Sequence, residues 1–145
     1  GVLRTAKSDR EWSKKLNKPI PQKIFDRNFS LKAVGFINEI TYYTKSNIVV
    51  TSAWRNNFTL EKLKGLFWRQ GITAPVIAKT DTGSNRGEEI QDWLTANHFY
   101  GKYVVIDDQV KDIKLHIPES HIIHVNALIG FTDTKLVDRA LDILL

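Results

Sequence analysis

Two adjacent carboxylates, Asp107 and Asp108, close the apolar run Tyr103-Val104-Val105-Ile106. Apolar residues in sequence, without polar alternation, read as a strand buried on both faces, the pattern of a parallel sheet. The chain leaves such a strand at the carboxyl edge of the sheet, where open α/β folds bind ligands. Side by side, two carboxylates repel each other unless a cation lies close, so the pair suits a divalent metal. Taken alone it also suits an Asp-rich turn.

Two more polar groups occupy the same kind of place. Ile48-Val49-Val50 runs into Thr51-Ser52-Ala53-Trp54-Arg55, and Pro75-Val76-Ile77 precedes Lys79 and a polar loop that ends at Arg86. A hydroxyl, a fixed cation and paired carboxylates together describe a site for a phosphate and a metal. The hydroxyl and nearby amides hold phosphoryl oxygens, the cation neutralises them, and the carboxylates bind Mg²⁺. Each piece is ordinary by itself: Thr51 suits a helix cap and Arg86 a surface helix. Their order after successive strands gives the combination its specificity.

Elements that position these groups are legible in turn. Ser30 caps a helix to about Tyr43, with Leu31, Val34, Phe36 or Ile37, and Ile40 at helical spacing. Thr59 caps a second, cored by Leu60, Leu63, Leu66 and Phe67 and stopped at Gly71. Asn85-x-x-Glu88 opens a third like a capping box, with Ile90, Trp93 and Leu94 inward. A helical turn is expected near Val110–Leu115, a strand over His121–Val125, and a last helix capped by Thr132 with Leu136, Val137, Ala140, Leu141 and Leu144 inward. Helix and strand alternate, which gives an α/β fold with parallel strands in a single domain over residues 1–145.

Charge divides the chain unevenly. Residues 1–32 hold nine basic residues against three acidic ones, whereas the remainder holds twelve against thirteen, so the net charge of +5 arises entirely in the first segment. That asymmetry points to an anionic partner, with a solvated basic face as the plain alternative. Pro19 and Pro21 forbid one continuous helix there; a short helix fits Glu11–Leu16, and Trp12, Leu16, Ile20, Ile24 and Phe25 are the expected apolar anchors. No apolar run reaches the ~20 residues of a membrane span. Cysteine is absent, which excludes disulfides and thiolate metal sites and is compatible with the reducing cytoplasm, the expected location. Trp12, Trp68 and Trp93 read as core residues. Trp54 reads as core or rim, with stacking on a base as the alternative. His98, His116, His121 and His124 are scattered and read as structural, and Asn126 either positions the acids or forms a turn.

The order Ile48-Val49-Val50-Thr51, then Arg86, then Val104-Val105-Ile106-Asp107-Asp108 resembles motifs II, III and IV of the haloacid dehalogenase (HAD) superfamily. Nearer still, Thr51-Ser52-Ala53-Trp54-Arg55, Arg86-Gly-Glu-Glu-Ile-Gln-Asp-Trp-Leu94 and Leu128-Ile-Gly-Phe-Thr132 resemble the HAD domain of "Swiss Army knife" RNA-repair proteins, over essentially the whole chain. The resemblance implies a Rossmann-like fold, a parallel sheet with helices on both faces, and a small basic cap-like insertion over residues 3–30. It implies Thr51 and Ser52 on the substrate phosphate, Arg86 in the motif III position with Lys79 as its competitor, and Asp107 and Asp108 on Mg²⁺. Asp112 is a weaker metal or second-layer candidate.

The family's nucleophile and acid/base lie in a central strand ending Asp-x-Asp-Gly-Val, and Gly1-Val2 resembles the tail of that motif. Methionine is absent throughout, so at least ~8 further residues, enough for one strand, are expected before Gly1. A sheet without its central strand exposes two edges, at about 1–3 kcal/mol for each orphaned group. The function so implied is a Mg²⁺-dependent phosphohydrolase working through an aspartyl-phosphate, with RNA or DNA end phosphates favoured as substrate by the basic segment. The alternatives are a small-metabolite phosphatase and a non-catalytic nucleotide- or nucleic-acid-binding module. A receiver domain is disfavoured, because there the acids precede the hydroxyl, whereas Thr51 here precedes Asp107.

Overall fold

The computed structural model describes residues 1–23 and 26–145. Two of the expected anchors, Ile24 and Phe25, lie outside the described residues. The chain folds as α1 (Ala6–Leu16), α2 (Leu31–Thr44), β1 (Ile48–Val50), α3 (Leu60–Arg69), β2 (Val76–Lys79), α4 (Arg86–Ala96), β3 (Val105–Asp107), β4 (Ile122–His124) and α5 (Thr134–Leu144). Short 3-10 turns cover Ala53–Asn56, Ile113–Leu115 and Glu119–His121. The α/β class and the parallel pairing are those expected. Among the described residues no helix is long and apolar enough to cross a membrane.

The strands form two parallel pairs, β1 with β2 and β3 with β4. Val50 stands opposite Lys79, and Asp107 opposite His124, so within each pair the carboxyl ends lie at one edge. Each pair carries its own apolar cluster. Around β1–β2 the buried residues are Val50, Val76, Val34, Phe29, Ile72 and the α3 residues Leu63, Leu66 and Phe67. Around β3–β4, Val105 and Ile122 pack with Ile90, Val110, Ile113 and Ile117. A third cluster joins Ala33 and Ile40 of α2 to Ile123, Val125, Phe131 and the α5 residues Val137 and Ala140. Helix α2 thus serves both strand pairs, with Val34 in the first cluster and Ala33 and Ile40 in the third; Leu3 and Ile37 touch both.

Local chemistry explains most of the boundaries. Ser30, Thr59 and Asn85 accept from the backbone N–H three residues on and so cap α2, α3 and α4. Gly71, with φ of 91°, turns the chain after α3. The last helix is capped by Asp133, whose carboxylate accepts from Lys135 N, and not by Thr132. Helix α1 begins five residues earlier than expected, because Thr5 and Ser8 form a reciprocal capping box. Its segment is anchored differently as well. Leu16 and Ile20 are exposed, and Trp68 on α3 is 71% exposed and no part of the core. The hold on the segment comes from Trp12 Nε1 donating to Phe29 O at 2.8 Å, and from Arg4 and Arg27 converging on Asp9 Oδ2 at 2.5 and 3.2 Å.

Candidate functional site

A cavity of about 720 Å³ separates the two strand pairs, lined by β1, by Val104–Ile106, by the apolar side chains of Ile37, Ile40, Phe67 and Ile90, and by Gly1–Arg4. Its polar end gathers Thr51, Ser52, Thr80, Arg86, Asp107 and Asp108. Most of the residues singled out in the sequence therefore meet at one place, where β1 and β3 end.

Asp107 is 3% exposed and both of its oxygens are engaged. Oδ2 accepts from Arg86 Nη1 at 2.6 Å, and Oδ1 accepts from Gln109 N at 2.9 Å. The guanidinium arrives because Arg86 is the first residue of α4, which Asn85 starts at the end of the polar loop. Helix α4 in turn lies close on the 113–115 turn. A Cβ added at Gly87 would stand 2.5 Å from Asp112 O and 2.9 Å from the Ile113 Cα. Only glycine permits that approach.

Asp108 differs from its neighbour. Its Oδ2 lies 3.0 Å from the Gly1 nitrogen, which also donates to Ala127 O at 3.2 Å. His124 Nε2 lies 3.2 Å from the Asp108 carbonyl, and His121 stacks on Tyr103 at 4.1 Å, which makes both histidines structural. Asn126 forms a turn: its Oδ1 accepts from Leu128 N and Ile129 N.

On the opposite wall the hydroxyls are arranged by Arg55. This side chain is 6% exposed and donates to Thr51 O at 2.6 Å and Ser52 O at 2.9 Å. It also forms an ion pair with Glu89 of α4, itself 7% exposed. The second Glu89 oxygen accepts from Gly83 N at 3.0 Å. One carboxylate thereby ties the loop after β1 to the loop before α4. Arg55 is a brace for Thr51 and Ser52, not a ligand-facing cation. Lys79 is likewise occupied, donating to Arg55 O and Phe58 O at 3.0 and 3.1 Å, and it is not among the cavity-lining residues. Asp112 is exposed, stands outside the cavity and begins the 113–115 turn. Trp54 stacks on Phe29 at 5.3 Å with the rings 3° from parallel, as a rim residue of the β1–β2 cluster.

Two contributors to this arrangement escape sequence reading. Glu89 sits one position beyond the capping motif and offers no signal apart from being an acid in a first helical turn. Thr80 follows β2, is 3% exposed, and carries a hydroxyl with no partner among the described residues, as does Ser52. A hydroxyl buried without a partner is costly, so two of them at one cavity mark a place suited to a polar ligand.

Among the described residues no cluster of three or more acidic or histidine side chains exists. The donor set nonetheless suits Mg²⁺, a hard cation commonly held by one or two carboxylates, with water and phosphate oxygens filling the remaining positions. Asp108, at the cavity and less encumbered than Asp107, is the better donor of the two.

Comparison with known proteins adds one match. A family model described as the HAD domain in Swiss Army Knife RNA repair proteins matches residues 1–136. No curated protein and no solved structure matches.

Proposed function

The chain belongs to the HAD domains of Swiss Army Knife RNA repair proteins, and from that premise we propose that it is a Mg²⁺-dependent phosphohydrolase acting on the end phosphates of nucleic acid. The observation that carries this reading is the meeting of Thr51, Ser52, Arg86, Asp107 and Asp108 around one cavity between β1 and β3.

In this reading Thr51 and Ser52 donate to the phosphoryl oxygens, held in place by Arg55 through their carbonyls. Arg86 contributes positive charge while fixing Asp107 in orientation. Asp108 and Asp107 are the residues that would hold Mg²⁺, which offsets phosphate charge when bound. In this reading the nucleophile is delivered on a strand that enters the cavity between β1 and β3. One Asp at its end attacks phosphorus as the bond to the leaving oxygen breaks, and a second Asp protonates that oxygen. Water then attacks the aspartyl-phosphate, which releases inorganic phosphate and restores the carboxylate.

The test is hydrolysis by the full-length protein, with Mg²⁺ and with chelator, of a phosphorylated oligonucleotide and of a small phosphate ester. The expected result is Mg²⁺-dependent release of phosphate, abolished by Asp108→Asn, with the oligonucleotide reaction alone falling steeply with salt. Phosphate release that is insensitive to Asp108→Asn would overturn the site. A salt-insensitive preference for the small ester would overturn the substrate class. A second reading, a domain that holds a phosphorylated ligand without turnover, is favoured by the full engagement of Asp107 with Arg86 and Gln109. It predicts oligonucleotide binding with no release of phosphate.

A further inference from the structure

The basic segment does not act as one undifferentiated surface. Arg4 and Arg27 are both spent on buried Asp9. Three lysines, Lys7, Lys15 and Lys32, line a groove of about 310 Å³ formed by α1, the first turn of α2 and the segment around Ile129 and Thr132. Lys15 Nζ lies over the Trp12 ring at 5.1 Å, and Lys32 Nζ lies 5.9 Å from the Phe36 ring centre. Among the described residues neither ammonium has a carboxylate partner. Among the described residues Lys7 pairs only with Glu11, the one acid of the groove, at 3.7 Å with both side chains more than half exposed. Such an exposed pair is weak and yields to a competing anion. The first turn of α2 contains no acid, so the positive end of that helix is uncompensated at the groove.

We propose that this groove is the track for the phosphodiester backbone of a single-stranded nucleic acid whose end reaches Asp108. Lys7 and Lys15 are eight residues apart on one helix, about 12 Å along its axis. A lone phosphate cannot span that distance, whereas a strand presents phosphates at successive points. The path to the site is short. Ile129 and Thr132 border the groove on the same loop whose Ala127 carbonyl accepts from Gly1 N, and that nitrogen in turn contacts Asp108. Phe131 N, donating to Val2 O at 3.0 Å, fixes this loop against the first residues of the chain.

The inference rests on the nucleic-acid reading of the same site, and binding can be measured apart from turnover. Fluorescence anisotropy follows a labelled single-stranded 12-mer carrying a 5′-phosphate, as RNA and as DNA, binding the full-length protein from 50 to 200 mM salt. Lys7→Ala, Lys15→Ala and Lys32→Ala are combined in one variant. A control variant combines Lys62→Ala, Lys64→Ala and Lys111→Ala, exposed positions away from the groove. Each phosphate contact on a single strand contributes a slope of about 0.7 in log affinity against log salt, so the groove variant loses about two units of slope and more than tenfold in affinity. Hydrolysis of the small ester stays at the level of the unsubstituted protein. Equal losses in the groove and control variants would overturn the track while leaving the phosphohydrolase reading standing. Equal binding of a polyglutamate peptide would overturn nucleic acid as the occupant. Lysine-dependent oligonucleotide binding without any phosphate release would uphold the track and sink the phosphohydrolase. Should the combined variant melt early, Lys15→Ala and Lys32→Ala singly must each lower the slope by about 0.7.

Discussion

Removing the Arg86 guanidinium leaves the Asp107 carboxyl, 3% exposed, with a single backbone N–H as its partner. Arg86→Ala is therefore expected to cost about 1–3 kcal/mol of stability, read as a lowered denaturant midpoint. It should also lower kcat by about 10²–10³, because a positioned charge at the phosphate is lost. Arg86→Lys should recover most of the stability and less of the rate, since an ammonium lacks the guanidinium's fork. Thr80 tests the opposite sign. Its buried hydroxyl has no partner among the described residues, so Thr80→Val is expected to stabilise the free protein by on the order of 1 kcal/mol. In thermal melts with added phosphate the same variant should gain less than the unsubstituted protein. A lowered melting temperature without phosphate would count against an unpartnered hydroxyl. At this scale the sequence was most informative where residue type implies chemistry: it singled out Thr51, Ser52, Arg86, Asp107 and Asp108, which line one cavity. Lys79 and Arg55 were not distinguishable from ligand-facing cations, because only the fold reveals that their donors point at carbonyls.

Helix α4 organises the two walls of the site from its first turn. Arg86 reaches toward β3, Gly87 admits the 113–115 turn, and Glu89 reaches back to Arg55 and Gly83. Glu89→Ala is expected to cost about 3–5 kcal/mol, the consequence of leaving a buried cation unpaired. Thr51 and Ser52 should lose their fixed positions with it, seen as line broadening of their amide signals. Gly87→Ala should cost about 1–3 kcal/mol through overpacking, because the atoms it meets belong to backbone and cannot swing aside. It should shift the Arg86 and Asp107 signals together. Helices were the most legible elements, since Ser30, Thr59 and Asn85 announce their starts and apolar spacing announces their buried faces. The first helix was harder to delimit. Its cap, Thr5, lies among charged residues with no apolar periodicity, and its tertiary hold is an arginine pair on Asp9 that no spacing rule reveals.

On the scale of the whole molecule, the strand pairs are held to each other by α2 and not by a ladder between β1 and β3. Among the described residues each of those strands is hydrogen-bonded to a single neighbouring strand, and each lines the cavity. The apolar runs foretold buried parallel strands, but which strand neighbours which depends on contacts far apart in the chain, and local pattern is silent there. A strand spaced about 4.8 Å from each neighbour would convert the two pairs into one five-stranded sheet and satisfy both edges at once. Hydrogen exchange reads this directly. In the chain beginning at Gly1, amides of Val49, Val50, Val105 and Ile106 that face the cavity should exchange well ahead of those paired to β2 and β4. In a chain extended upstream by a strand ending in Asp-x-Asp, those amides should slow by at least 10²-fold, since their opening then requires breaking the sheet's centre. An extension that leaves their exchange unchanged would mean that the strand does not enter between β1 and β3. The nucleophile would then have to come from elsewhere.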